Sequence, residues 1–155
     1  MADTKDVDYY HGVYGYIEDP TANKLLVVRK TRGAYKGKFD LPGGAQEDKE
    51  TREETLRREI REETGADLIE GADYFISRST TAWTDDEDQP RTLVHTYEIA
   101  RCVVGATDSK IVSSDTDGCE YMAKIAMSER NASPLVLEAL AHFDAVDPDI
   151  AEKDR

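Results

Sequence analysis

The clearest structural signal in the sequence is a helix that begins after Thr51 and ends at Gly65. Thr51 and Glu54 have the spacing of a capping box, in which each side chain accepts a hydrogen bond from the other residue's backbone amide. Leu56 and Ile60 lie four residues apart and therefore on one helix face, whereas most of the remaining surface is charged. The helix is thus predicted to bury one narrow stripe and to leave its other faces available for solvent or chemistry.

Segments with the composition of strands lie on both sides of this helix. They are rich in β-branched and aromatic residues and cover residues 9–17, 24–29, 74–81, 93–104 and 119–127. Asp19 and Pro20 predict a turn, so that the first two segments would form a hairpin. Pro134 predicts the start of a closing helix, and the tail from Asp147 onward is predicted to be frayed and flexible.

Three polar or irregular stretches separate these segments. Residues 84–90 are predicted as a mobile loop between two long strands, and residues 105–118 as a second polar connection. Pro42 and the two glycines after it are predicted to force the backbone out of regular structure. Strands, an early helix, more strands and a closing helix predict an α/β fold with a mixed sheet covered by helices, in a single domain over residues 1–155.

Composition and charge disfavour several classes of protein. The longest purely apolar run covers only residues 25–28, which is too short to cross a bilayer. Asp3, Asp6 and Asp8 stand where a secretory signal would need basic and then apolar residues, so a cytoplasmic location is expected. The net charge of -13 disfavours a partner bound through its phosphate backbone, such as duplex DNA.

The cysteines and histidines offer no alternative site. Cys102 and Cys119 make neither a disulfide framework nor a CxxC pair, and they are expected to be reduced thiols. His11, His95 and His142 are scattered along the chain without the spacing of metal ligands or of a catalytic triad. All three histidines are therefore expected to be structural.

Charge is unevenly distributed along the chain. Residues 29–38 contain five cations and no acid, whereas residues 47–63 are dense in glutamate. Adjacent basic and acidic segments would suit a metal-assisted phosphate site, in which cations contact phosphate oxygens and carboxylates hold divalent ions. Two solvated surface segments would have the same composition, so charge alone leaves both interpretations open.

Three of the glutamates share one face of the predicted helix. Glu59, Glu62 and Glu63 are three and four residues apart, so their carboxylates point the same way. Like charges this close repel one another unless cations neutralise them, and Mg²⁺ and Mn²⁺ prefer oxygen ligands of this kind. A solvated glutamate-rich helix is the alternative when these residues are considered alone.

The spacing around these glutamates resembles the box of the Nudix hydrolases, Gx5Ex7REUxEExGU, where U is a bulky apolar residue. Gly44 is followed after five residues by Glu50, and after seven more by Arg58-Glu59-Ile60-Arg61-Glu62-Glu63-Thr64-Gly65-Ala66. Only Ala66 departs from the pattern, because it is small. The lead-in Phe39-Asp40-Leu41-Pro42-Gly43-Gly44 is also similar to that of the family. The resemblance implies a Nudix-type α/β/α sandwich that hydrolyses a diphosphate linkage with Mg²⁺, or with Mn²⁺ as a substitute.

The resemblance also assigns roles to individual residues. The implied metal ligands are Gly43, through its backbone carbonyl, with Glu59, Glu62 and Glu63. Glu59 is the first choice for the general base, and Arg58 and Glu50 would orient the carboxylates. The positions that shape the motif are Gly44, Glu50, Ile60 and Gly65. A stretch around Glu120 is similar to one in the MutT-like branch, which makes Glu120 a candidate for a further ligand or base.

Substrate contacts are expected outside the box. The candidates are the basic residues Arg29, Arg32, Lys36 and Lys38, together with Phe39 of the lead-in and Asn131. Asn131 lies near the point where an asparagine of the MutT-like branch reads the base, although a turn residue before the last helix is the alternative interpretation.

The MutT-like branch implies cleavage of a nucleoside triphosphate into nucleoside monophosphate and pyrophosphate. ADP-ribose, nucleotide-sugar and dinucleotide polyphosphate substrates remain alternatives, as does a non-catalytic nucleotide sensor with the same fold. An isomerase of this fold is disfavoured because neither cysteine lies in the motif that such an enzyme uses. The expected partner is a small nucleotide-type substrate, and the protein is expected to be a monomer or homodimer, without a membrane partner.

Overall fold

Strand β1, close to the N-terminus, runs through the centre of the structure. The computed structural model describes residues 6–19 and 21–144. Its elements are β1 (Val7–Asp19), β2 (Lys24–Lys30), β3 (Phe39–Asp40), β4 (Gly43–Ala45), α1 (Arg52–Thr64), β5 (Leu68–Thr84), β6 (Pro90–Val104), β7 (Thr116–Ala123) and α2 (Pro134–Phe143), with a short 3₁₀ turn at Lys124–Ala126. Pro20 and the predicted tail from Asp147 lie outside the described residues.

The strands form a mixed sheet in which β1 has different partners along its length. Its main path has the order β3-β2-β1-β6-β5, while β4 pairs with β1 and β7 pairs with β2. From Val7 to Ile17 the strand runs parallel to β6, and only its end, at Glu18 and Asp19, pairs with β2. The predicted hairpin of β1 and β2 is thus present but short.

The two faces of β1 support separate cores. Tyr14 and Tyr16 belong to the core that α2 covers, whereas Val13 and Ile17 belong to the core that α1 covers. Alternation along the strand explains this division, because successive side chains point to opposite faces. The helices complete the cores with Leu135, Val136 and Ala139 from α2, and with Leu56 and Ile60 from α1. The expected mixed sheet covered by helices is confirmed.

The ends of α1 are those that the sequence predicts. The Thr51 side chain accepts a hydrogen bond from the Glu54 amide, and the Glu54 side chain accepts one from the Thr51 amide. Gly65 ends the helix with a φ of 74° and donates its N–H to the Arg61 carbonyl. These caps fix the length of α1 and therefore the positions at which its glutamates leave the helix.

The predicted loop at 84–90 is wrong in extent. Strands β5 and β6 continue to Thr84 and Pro90 and are joined by a short turn, in which the Asp85 carboxylate accepts hydrogen bonds from the Glu87 and Gln89 amides. The sequence conceals this extension because a half-solvated antiparallel hairpin can be built from polar residues.

Other boundaries also differ from prediction, and β5 begins at Leu68 instead of residue 74. The last strand begins at Thr116 and ends at Ala123, after which a 3₁₀ turn replaces the predicted strand. Gly43–Ala45 forms a short strand paired with β1, although the glycines predicted irregular backbone. Gly43 has a φ of 153° there, and a β-carbon on it would lie 2.3 Å from the Val13 carbonyl oxygen. The absence of a side chain therefore permits this close pairing.

Within 6–19 and 21–144, no helix is long and apolar enough to cross a membrane.

Candidate active site

A cavity of about 380 Å³ brings together the N-terminal part of β1, the acidic face of α1 and the segment after β2. Its lining includes carboxylates and glycines, namely Asp40, Gly43, Gly44, Glu59, Glu62, Glu63 and Asp115. It also includes aromatic and apolar residues, namely Tyr10, Tyr14, Tyr35, Trp83, Leu93 and His95. The cations Lys30 and Arg32 also face the cavity. Its walls therefore combine acidic, basic and aromatic groups, which is typical of a site for a charged organic ligand.

Glu59 and Glu63 each lie in close contact with a glycine of β4. A β-carbon on Gly44 would lie 2.7 Å from the carboxyl carbon of Glu59, so a side chain there would displace that carboxylate from this position. Glu63 is only 5% exposed and accepts a hydrogen bond of 2.8 Å from the Gly43 amide. The two glycines of β4 thus contact both carboxylates.

Burial dominates the electrostatics of Glu63. It raises the pKa of this carboxyl to about 8, although the Gly43 hydrogen bond acts in the opposite direction, and the charge of Glu59 raises the pKa further. Burial also raises the pKa of Glu59, against the effect of Arg58. The wall therefore carries buried carboxylates that an additional cation would stabilise in their charged form.

Arg58 forms a clamp behind the carboxylates. Its guanidinium makes two hydrogen bonds with Glu50, of 2.8 and 3.0 Å, and a third of 2.9 Å with Glu59. A further bond of 3.1 Å reaches the Ala45 carbonyl on β4. Arg58 lowers the pKa of Glu50 to about 2, so that carboxylate is ionised across the neutral range. The clamp joins α1 to β4 and holds Glu59 in position.

The three helix glutamates share the cavity wall but have different exposures. The Glu59 side chain is 16% exposed, whereas that of Glu62 is 53% exposed and lies 3.5 Å from Arg58. Among the described residues, no group of three or more His, Cys, Asp or Glu side chains is already arranged to hold a metal ion. Arg58 Nη1 instead donates to both Glu59 and Glu62, and the Gly43 amide donates to Glu63.

The donor set nevertheless fits a hard divalent cation. The groups that face the cavity from α1 are carboxylate oxygens, and Gly44 leaves the space that Glu59 needs. Mg²⁺ and Mn²⁺ prefer such oxygen ligands, whereas a site for a soft metal would need thiolates. Cys102 and Cys119 are buried free thiols outside this cavity wall.

The basic residues are divided between two faces of the molecule. Lys30 and Arg32 line the cavity, and Arg32 Nε lies 3.0 Å from the Asp115 carboxylate. Arg29 instead lines a separate cleft of about 150 Å³ with Phe39 and Glu120. Its guanidinium lies over the Phe39 ring, 4.9 Å from the ring centroid.

Strand alternation explains this division. Lys30 is two residues after Val28, so both side chains point to the sheet face that α1 covers. Arg29 is two residues after Val27, so both point to the opposite face. Glu120 lies opposite Val27 in the register of β2 and β7, so it also faces away from the helix glutamates. The structure thus does not bring Arg29, Phe39 or Glu120 into the cavity.

The remaining candidates for substrate contact have other partners. Lys36 Nζ lies 3.7 Å from Asp86 in the turn between β5 and β6, and Lys38 Nζ donates to the Glu129 carbonyl. The Asn131 side chain donates to the Ala126 carbonyl and accepts from the Ser128 amide. These two bonds support the interpretation of Asn131 as a turn residue.

Asp115 and His95 are among the cavity residues that sequence reasoning missed, as are Lys30 and Trp83. Asp115 lies in the polar connection before β7, where one aspartate among several carries no distinguishing signal. His95 is buried between Tyr14 and Tyr35, each of whose hydroxyls lies 2.9 Å from one ring nitrogen. Burial lowers the pKa of His95 to about 4, so the imidazole is neutral near pH 7 and connects the segment after β2 to the sheet.

The other two histidines lie outside this cavity. His11 lies 3.1 Å from Glu98, and the His142 ring stacks on Phe75 with centroids 4.0 Å apart.

Comparison with solved structures shows the same fold elsewhere. A MutT Nudix hydrolase from Burkholderia pseudomallei has a TM-score of 0.58 and 20% identity, over 86% of this chain and 96% of that one. A MutT protein from Methanosarcina mazei Go1 has a TM-score of 0.60 and 19% identity, over 91% and 99% of the two chains.

Two relatives are similar in sequence. A nucleoside triphosphatase NudI of Escherichia coli is 34% identical over 97 residues, which are 61% of this chain and 69% of that relative. An ADP-ribose pyrophosphatase of Methanocaldococcus jannaschii is 51% identical over 43 residues, which are 28% of this chain and only 25% of that relative. The family model of the NUDIX domain matches residues 9–138. With most of its length matched by that model, this chain belongs to the Nudix hydrolase family.

Proposed function

We propose that the protein is a metal-dependent pyrophosphohydrolase that cleaves nucleoside triphosphates into nucleoside monophosphate and pyrophosphate. The observation that carries the proposal is the composition of one cavity, in which Glu59, Glu62 and Glu63 face the same space as Lys30 and Arg32. Carboxylates that hold Mg²⁺, or Mn²⁺ in its place, would balance the phosphate charge together with these cations.

The proposed roles of the protein groups follow from their positions. Glu59 and Glu63 would hold the cation beside Gly43, with Glu62 in the same cluster, and the clamp of Arg58 and Glu50 would orient Glu59. When bound, the metal would polarise the phosphoryl oxygens and lower the pKa of the attacking water. Glu59 remains our candidate for the group that takes the proton from that water.

The cations would act on the other end of the triphosphate. Lys30 and Arg32 line the cavity and replace Lys36 and Lys38 as the groups expected to hold the outer phosphates. Arg32 is oriented by its 3.0 Å contact with Asp115. Neutralising the outer phosphates favours their departure as pyrophosphate, because the leaving group carries the developing charge.

The nucleoside triphosphatase relative supports this substrate class over the second candidate. That protein matches 61% of this chain, whereas the ADP-ribose pyrophosphatase matches only 28%. ADP-ribose remains the second candidate because identity over that shorter segment reaches 51%.

The bond that is cut tests the proposed function. When a nucleoside triphosphate is hydrolysed in oxygen-18 water with Mg²⁺, we expect nucleoside monophosphate and pyrophosphate as the first products, with the label in one of them. Mass spectrometry of the products then identifies which inner phosphorus was attacked. Labelled orthophosphate and nucleoside diphosphate as the first products would contradict the proposal and indicate attack at the terminal phosphorus.

The helix glutamates can be tested against a neighbour on the same helix. Glu59→Gln and Glu63→Gln should each lower kcat by at least about a hundredfold, because each removes a metal-site charge while conserving volume. Glu53→Gln is the matched control, since Glu53 is exposed and only pairs with Arg57 at 3.5 Å. Steady-state kinetics and circular dichroism measure activity and folding. Near-normal turnover in a folded Glu59 or Glu63 variant would refute this site.

Arg32 and Arg29 lie on opposite faces of the basic segment, so substituting each of them tests which face binds phosphate. Arg32→Ala should raise the Michaelis constant for a nucleoside triphosphate by about tenfold, because it removes a charged contact to phosphate. Arg29→Ala should leave that constant almost unchanged, since Arg29 faces the other cleft. Initial-rate measurements over a range of substrate concentrations distinguish the two. Equal effects of both substitutions would show that the cavity does not define the phosphate site.

A further inference from the structure

The aromatic part of the cavity has no role in the proposed hydrolysis. Trp83 and Leu93 line it together with Tyr10, whose ring is 42% exposed. These residues come from three neighbouring strands, because Trp83 is on β5, Leu93 on β6 and Tyr10 on β1. They line the same cavity as the carboxylates, so a single extended ligand can contact both the aromatic and the acidic residues.

Trp83 also carries a polar group that the described protein does not satisfy. Its indole Nε1 and the Ser79 hydroxyl are the buried side-chain polar atoms without a hydrogen-bond partner among the described residues. Of the two residues, only Trp83 lines the cavity. Because Nε1 is buried, the part of Trp83 that lines the cavity offers a ligand an apolar surface and not the indole N–H.

The strand beside Trp83 is held by a two-bond ion pair. Arg91 lies opposite Trp83 in the register of β5 and β6. Its guanidinium donates to both carboxylate oxygens of Asp8, at 3.1 and 2.5 Å, and Asp8 also lines the cavity. This pair ties β6 to β1 at the position of Trp83, so the aromatic wall has a fixed support.

We infer that the aromatic wall formed by Tyr10, Trp83 and Leu93 binds the nucleobase of the substrate and that Trp83 is a binding residue for it. The inference rests on the proposed function, because it assigns one end of the same substrate. A nucleobase offers a flat aromatic surface that can stack on such side chains. Ribose phosphate and pyrophosphate lack that surface, so they should not make this contact.

The protein contains a single tryptophan, so tryptophan fluorescence, excited at a wavelength where tyrosine does not absorb, reports on Trp83 alone. Nucleoside monophosphates are suitable probes because they carry a base but no anhydride bond to hydrolyse. With Mg²⁺ present, titration with AMP, GMP, CMP or UMP should change the emission in a saturable manner for at least one base. Ribose 5-phosphate and pyrophosphate should leave it unchanged. Absence of a saturable change with all four nucleotides would overturn the assignment.

Substitutions test the same contact by activity. Trp83→Ala should raise the Michaelis constant for a nucleoside triphosphate by about tenfold, the size of one base-stacking contact, while affinity for pyrophosphate by calorimetry is retained. Trp83→Phe should recover part of the loss and controls for folding. Ile76→Ala is the matched control, since Ile76 is 65% exposed on the same strand and outside the cavity.

The outcomes separate this inference from the proposed function. Hydrolysis of nucleoside triphosphates with an unchanged Michaelis constant in Trp83→Ala would refute the base site and leave the proposed function standing. A base-dependent emission change in a protein that hydrolyses no nucleoside triphosphate would support the base site and contradict the proposed function.

Discussion

The site depends on the close approach of a glutamate-bearing helix to two glycines. A β-carbon at Gly44 would displace the Glu59 carboxylate, and the buried Glu63 carboxylate accepts a hydrogen bond from the Gly43 amide. Pairing of β4 with β1 fixes where those glycines lie, and the caps of α1 fix where the glutamates lie. The acidic wall of the cavity is therefore a consequence of how one helix packs against one short strand.

Charge balance is the second organising constraint. Burial raises the pKa values of Glu59 and Glu63, so these groups are unfavourable as anions unless positive charge is nearby. Arg58 supplies part of that charge and is itself held by Glu50 through two hydrogen bonds. A divalent cation in the cavity would supply the rest. The cation proposed for catalysis would therefore also stabilise the charged form of these carboxylates.

The helix and its caps could be predicted from sequence, whereas the direction of the other candidate side chains could not. Capping residues and motif spacing are local signals, and they located α1 correctly. The position of Glu120 depends instead on the strand register and on which face of the sheet its side chain points to. Together these place it beside Arg29 and away from the acidic face of α1. Asp115 and Trp83 reach the cavity through long-range packing and a hairpin longer than its apolar pattern indicates, and neither leaves a local signal.

We propose that the wall formed by Gly43, Glu59 and Glu63 holds the catalytic cation. A crystal structure of the protein with Mn²⁺, with diffraction data collected at an energy where manganese scatters anomalously, tests this directly. We expect an anomalous peak within coordination distance of the Glu59 and Glu63 carboxylates, and loss of that peak in Glu63→Gln. A peak beside Glu120 in the separate cleft, with none at the α1 carboxylates, would contradict it.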